Sequence, residues 1–314
     1  MDDIGQQARA WRVGLVGYGE VGRIVAEEMR ALGVERVLAW DLKLRDGQGT
    51  ALREHAAAHG VELAASAAEL AGSCELLLSA VTASQAVAVA RECAASLRAG
   101  TSFVDFNSAS PGAKIQAAQA VDAAGGRYVE AAVMTSVPPY RSKVPMLLGG
   151  AHARELLPAL QALGFAGARF GDERLGVVSA TKMCRSVMIK GLEAMVIESF
   201  SAARAYGVED AVLDSLAETF PGIDWERQAA YFFQRVIEHG RRRSEEMREV
   251  ARTVQEAGLE PWSAAGTAER QAWMADLADR GVFGRRGEPG FARSPDWRSE
   301  ADRLLRSARD HDKE

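Results

Sequence analysis

The hydrophobic positions of this chain change their period near its middle. In the first half, short runs of consecutive apolar residues recur: WRVGLV (11–16), VERVLAWD (34–41), ELLLSAV (75–81), SFVDF (102–106) and YVEAAV (128–133). Stretches with helical spacing, such as VGRIVAEEMRAL and SQAVAVARECAASL, lie between them. A continuous apolar run is what a strand buried on both faces requires, and strands alternating with helices predict parallel βαβ units in a doubly wound sheet. After about residue 172 the β-rich runs cease. The three-to-four-residue period that follows predicts helices at 174–206, 208–219, 224–257 with a break at Gly240, and 262–280. The expected fold class is therefore α/β, with a doubly wound parallel sheet over residues 1–173 and an all-α domain over 174–314. GVFGRRGEPGFARSPDW, rich in Gly, Pro and Arg, reads as a loop. The charged end, WRSEADRLLRSARDHDKE, reads as a frayed surface helix or a disordered tail.

Length and charge narrow the function. At 314 residues the chain can bury a substantial core as one large or two ordinary domains. Its net charge of −5 leaves no nucleic-acid footprint, although arginines concentrate after residue 240. Cys74, Cys93 and Cys184 are few, odd in number and lack metal-ligand spacing, so neither a disulfide framework nor a metal site is expected. The opening MDDIGQQARAWRV has no basic and apolar leader pattern, and no later run is long enough to span a bilayer. A soluble, cytoplasmic protein without a membrane partner is the expectation.

The first helix start carries chemistry. Gly17, Gly19 and Gly22 form G-x-G-x-x-G between an apolar run and a helical one, which is where backbone amides and a helix dipole can receive a pyrophosphate. Gly17 allows the tight turn, Gly19 clears the phosphate approach, and Gly22 permits close helix packing. Tyr18, Glu20 and Val21 complete the turn, and Val81, Thr82 and Ser108 at later strand ends are the other expected cofactor contacts. Asp41 ends the second strand, about twenty residues on, where an acid accepts hydrogen bonds from a ribose and repels a 2′-phosphate. NAD is thus favoured, with NADP kept open by Lys43 and Arg45.

A second feature is the helix SATKMCRSVMIKG (179–191). At helical spacing Ser179, Lys182, Arg185 with Ser186, and Lys190 share one face, while Met183, Val187, Ile189 and Leu192 point elsewhere. Unpaired polar groups in a buried helix are costly, so the stripe calls for a partner. Lys190 has Glu193 three residues on for a local pair, and Cys184 reads as a small apolar filler.

Taken in order, the glycine fingerprint, FVDFNSASP and KMCRS opening a helical half resemble the β-hydroxyacid dehydrogenases, relatives of 3-hydroxyisobutyrate and 6-phosphogluconate dehydrogenases. The likeness runs from about residue 11 to 280, in a branch with its own C-terminal helical domain. It implies a Rossmann domain and places Ser108 beside nicotinamide and substrate, Thr135 and Ser136 of EAAVMTSVP on a substrate loop, and Lys182 as the catalytic lysine. Three departures bear on substrate. Ser186 replaces the usual asparagine four residues after the lysine and is assigned to the catalytic pair with it; the Gly-Gly after the substrate-loop serine is lost; and a family K-D-L becomes Glu245, Glu246 and Met247.

The reading that results is an NAD(P)-dependent oxidoreductase for a 3-hydroxy acid or a related anionic hydroxy compound, possible decarboxylation included. Lys182 takes the alcohol proton, its charged form disfavoured by burial and by Arg185 and Lys190. Arg185 pairs with a substrate carboxylate or with an acid of another helix. His239 and Arg242 bind an anionic group if their helix end faces substrate, and otherwise form a solvated face. An imine reductase and a catalytically silent dinucleotide sensor are the alternatives, and a homodimer is expected.

Overall fold

The apolar runs of the first half pair into one sheet. The computed structural model describes residues 2–45, 47–292, 294 and 296–311. Its first part runs α1 (Asp2–Arg9), β1 (Arg12–Val16), α2 (Glu20–Ala31), β2 (Arg36–Trp40), α3 (Thr50–His59), β3 (Glu62–Leu63), α4 (Ala67–Ser73) and β4 (Leu76–Ser79). It continues through α5 (Ala86–Ala94), β5 (Ser102–Asp105), α6 (Pro111–Ala123), β6 (Arg127–Val133), β7 (Met146–Gly149), α7 (Ala153–Ala162) and β8 (Ala168–Asp172). The strand order is β3-β2-β1-β4-β5-β6-β7-β8, parallel throughout except for the antiparallel β6–β7 pair. Val13, Leu15, Val104 and Val129 pack in one apolar layer, while Val16, Leu77, Phe103 and Tyr128 pack in the opposite one. Burial on both faces is why those strands read as unbroken hydrophobic runs.

The chain divides into two compact units, one reaching to Met183 and the other starting at Cys184. The division falls inside α8 (Val177–Tyr206), which is followed by α9 (Glu209–Thr219), α10 (Trp225–Glu256), α11 (Trp262–Asp279) and α12 (Trp297–His311). The second unit has its own core, in which Phe200, Phe233, Val236, Ile237, Met274, Phe283 and Trp297 are buried together. No helix among the described residues is long and apolar enough to cross a membrane.

Two expectations are corrected and one open alternative is decided. Helix α10 passes through Gly240 without a break. The glycine is there for packing: a Cβ at 240 would stand 2.6 Å from the carbonyl oxygen of Gln271 on α11. The charged tail is a helix rather than disorder, and it starts at Trp297, inside the stretch read as loop. Trp297, Ala301 and Leu304 recur at helical spacing and are buried, so a narrow apolar stripe anchors a polar helix. Cys184 is exposed, so it fills no core. The sheet also gains β3, β7 and β8, none of which the apolar pattern announced.

Candidate active site

The glycine turn sits where the strand order reverses between β1 and β4, the crevice in which open α/β sheets bind ligands. Gly17 has φ +91°, and a Cβ there would lie 2.4 Å from the carbonyl oxygen of Ala80; one at Gly22 would lie 2.2 Å from that of Gly17. Neither position accepts a side chain. Gly19 differs: a Cβ there would meet nothing within 4 Å, and as N-cap of α2 it supplies no side-chain hydrogen bond to the helix start. Open space beside uncapped helical amides fits a pyrophosphate. Asp41 also fits its place at the end of β2. Its Oδ2 accepts from the Tyr18 amide at 2.8 Å and its Oδ1 from the Lys43 amide at 3.0 Å, so it both fixes the glycine turn and caps the next one. The Tyr18 side chain is fully buried, its phenol 2.8 Å from His55 Nδ1, so toward a nucleotide it offers backbone only. Arg45 lies over the Trp40 ring and pairs with Glu92 at 3.5 Å.

The ends of β4 and β5 form one hydrogen-bonded block. The Val81 amide donates to Asn107 Oδ1 at 2.7 Å, Asn107 Nδ2 donates to Ser79 Oγ at 3.0 Å, and the Asn107 amide donates to Asp105 Oδ1 at 2.8 Å. Asp105 itself is buried in an ion pair with Lys114 of α6 at 3.0 Å and accepts from the Tyr128 phenol at 2.7 Å. Burial, together with Asp105, holds that phenol well above its ordinary pKa, so it stays a donor. This network fixes the backbone that presents Ser108, which is half-buried, while Thr82 next to Val81 is exposed. Asn107 and Lys114 were not foreseen as site residues; an asparagine two residues after the strand-end aspartate was the available signal.

Lys182 meets that block. Its Nζ donates to Ser108 Oγ at 2.6 Å, so the loop after β5 and the first turns of α8 converge on one point. The start of α8 is itself held by the sheet, because the Gly176 amide donates to Glu130 Oε1 at 2.6 Å. Glu130 lies on β6, is fully buried, and has its pKa raised by that burial. Beyond β6, Thr135 is exposed and Ser136 half-buried. Arg141 in the same loop adopts φ +52° and is pinned by Glu27 and Glu28 of α2.

Arg185, Ser186 and Lys190, further along the helix, belong to the second unit. Ser186 is buried, whereas Arg185 is exposed. Ile189, expected away from the polar side, is 44% exposed, and Lys190 is buried. Lys190 pairs with Glu246 at 2.5 Å rather than with Glu193, which is taken by Arg243. Burial lowers the Lys190 pKa against the opposing pull of Glu246. His239 and Arg242 lie together with Glu238, Arg241, Asp279 and Arg286 around a surface cavity. Arg242 also pairs with Glu246 at 2.5 Å, and burial lowers the His239 pKa.

A glycine turn at the switch point, an acid at the end of β2 and a lysine against the β5 loop define a dinucleotide-binding oxidoreductase architecture. The chain belongs to the family of the NAD-binding domain of 6-phosphogluconate dehydrogenase, whose model matches residues 12–169. Residues 203–274 match a further family described as a domain of unknown function, DUF1932. A conserved hypothetical protein from Sinorhizobium meliloti 1021 is 36% identical over 94% of this chain and 96% of its own, with a TM-score of 0.73. Conserved protein MTH1747, of unknown function and described as structurally similar to 3-hydroxyacid dehydrogenases, is 30% identical over 86% of this chain and 98% of its own, TM-score 0.66. At 17% identity, 3-hydroxyisobutyrate dehydrogenase from Mycobacterium tuberculosis, determined with L-serine, shares the fold over 94% of this chain and 99% of its own, TM-score 0.63.

Proposed function

We propose that the protein is an NAD(P)-dependent dehydrogenase that exchanges hydride with a small 3-hydroxy acid or a related anionic hydroxy compound, Lys182 carrying the hydroxyl proton. The supporting observation is the 2.6 Å contact between Lys182 Nζ and Ser108 Oγ at the mouth of a dinucleotide-binding sheet. The nicotinamide, when bound, supplies the hydride acceptor. Oxidising a secondary alcohol also releases a proton from oxygen, and a neutral amine within hydrogen-bond reach takes it; in reduction the ammonium returns it to the carbonyl oxygen. Ser108, accepting from Lys182, keeps its own O–H to donate to the same substrate oxygen. Thr135 and Ser136 offer hydroxyls at the neighbouring strand end, and the planar Arg185 guanidinium matches a carboxylate. His239, Arg242 and Ser186 are proposed as further residues serving the same reaction.

The assay is a panel of hydroxy acids followed by nicotinamide absorbance with NAD and with NADP. Lys182→Met keeps a long unbranched chain without the amine, so cofactor affinity should persist while turnover falls by about 10²- to 10⁴-fold. Arg185→Lys should raise KM, because a point charge cannot reproduce bidentate pairing. Silence across the panel with cofactor binding intact, or turnover confined to a ketone mixed with an amine, would overturn the proposal.

A further inference from the structure

The geometry points to a transition-metal site in the first unit, built from Glu27 of α2 and His55 and His59 of α3, with zinc as its natural occupant. Two histidines four residues apart on one helix project from the same face. One ligand atom from each of the three side chains lies within 4.8 Å of the other two, and no other such trio of His, Cys, Asp or Glu occurs among the described residues. Two imidazole nitrogens and one carboxylate oxygen are a zinc donor set that leaves a fourth position for water.

The groups around the trio favour an ion. His55 Nδ1 sits 2.8 Å from the Tyr18 phenol, which is locked in the core, so the ring has a fixed orientation with Nε2 aimed at Glu27. Outer hydrogen bonds of that kind orient metal-bound imidazoles. Glu27 divides its oxygens: Oε1 lies 2.9 Å from His55 Nε2, while Oε2 pairs with Arg141. Glu28 also pairs with Arg141, so that guanidinium is shared between two carboxylates and Glu27 keeps Oε1 for the histidine side. Zinc–ligand bonds of about 2.0–2.2 Å set a donor-to-donor edge of roughly 3.3 Å in a tetrahedron. The His55–Glu27 pair therefore opens slightly, and the exposed His59 ring, stacked on His55 at 4.4 Å, swings inward. Binding moves the neutral imidazole's proton to Nδ1, where it is donated to the Tyr18 oxygen. The ion would join α2 and α3 one hydrogen bond from the glycine turn, acting as a brace rather than as a catalyst.

Full-length protein freed of metal with a chelator is titrated with Co²⁺, followed by visible absorbance, and with Zn²⁺, followed by calorimetry. The expected result is about one ion per chain, nitrogen–oxygen d–d bands without a thiolate charge-transfer band, and a thermal midpoint raised by Zn²⁺. His59→Ala removes an exposed ligand, so the metal-free variant should melt like the metal-free parent yet bind at least about tenfold more weakly. Glu27→Gln should show the same loss, and Cys184→Ser none. Absence of binding, equal binding by His59→Ala and the parent, or a thiolate band abolished by Cys184→Ser would each overturn the site.

Discussion

Asp41 accepts two backbone amides, from Tyr18 and Lys43, so its charge is held at the end of β2 before any nucleotide arrives. A ribose bonded by that carboxylate gives NAD an advantage that a 2′-phosphate forfeits by repulsion. Asp41→Ala is expected to weaken NAD more than NADP and, by orphaning two amides, to cost about 1–3 kcal/mol of stability. Parallel cofactor titrations and urea unfolding check both; an unchanged preference would remove Asp41 from the ribose. Glu130 makes a different case. Burial raises its folded pKa above the unfolded value, so its contribution to stability is full below the unfolded pKa and is lost as pH rises through the folded one. Glu130→Gln keeps an acceptor for the Gly176 amide but cannot titrate. Its thermal midpoint should fall less than the parent's between mildly acidic and neutral pH, and equal slopes would place the titration elsewhere.

Within helix α10, Gly240 reverses an ordinary rule. Replacing glycine by alanine inside a helix usually gains about 1 kcal/mol of propensity. Here the added methyl would lie 2.6 Å from a backbone oxygen of α11, and overpacking costs typically about 1–3 kcal/mol. Gly240→Ala should therefore lower the urea midpoint, whereas an increase would mean that α11 yields. The same position shows what a sequence leaves unsaid. Glycine in a helical pattern looks like a break until the neighbouring helix is known, because close approach is a tertiary fact. Strands β1, β2, β4, β5 and β6 were legible because each is buried on both faces and so is apolar residue after residue. Strand β8 was not, since its positions alternate in exposure, and β3 spans only Glu62–Leu63. At the candidate site, the family resemblance pointed to Ser108 and Lys182, which the fold brings into contact. The Asp105–Lys114 pair was not legible, because no local pattern distinguishes a buried lysine from a solvated one. In α12 a narrow stripe was masked by charge; Trp297→Ala, which empties a fully buried site, should cost about 3–5 kcal/mol.

For the molecule as a whole, the second unit leaves apolar side chains in solvent: Met188 is 71% exposed, Met195 60%, Leu259 65% and Trp262 80%. Exposed groups of this size in a unit with its own core favour self-association, and a homodimer is the expected state. Light scattering at micromolar concentration should return twice the chain mass, and Met188→Glu with Met195→Glu should return the single mass; a monomeric parent would refute the dimer. The strand order carries one more consequence, for the timing of synthesis. Strand β1 finds β2 early, but its other edge stays open until Leu76–Ser79 has been made. From β4 to β8 each new strand joins the one before it. Lys182 is translated only after β8, so a growing chain completes its nucleotide-binding sheet before it possesses the amine that meets Ser108, and the ribosome carries an unguarded β1 edge through some sixty residues of elongation.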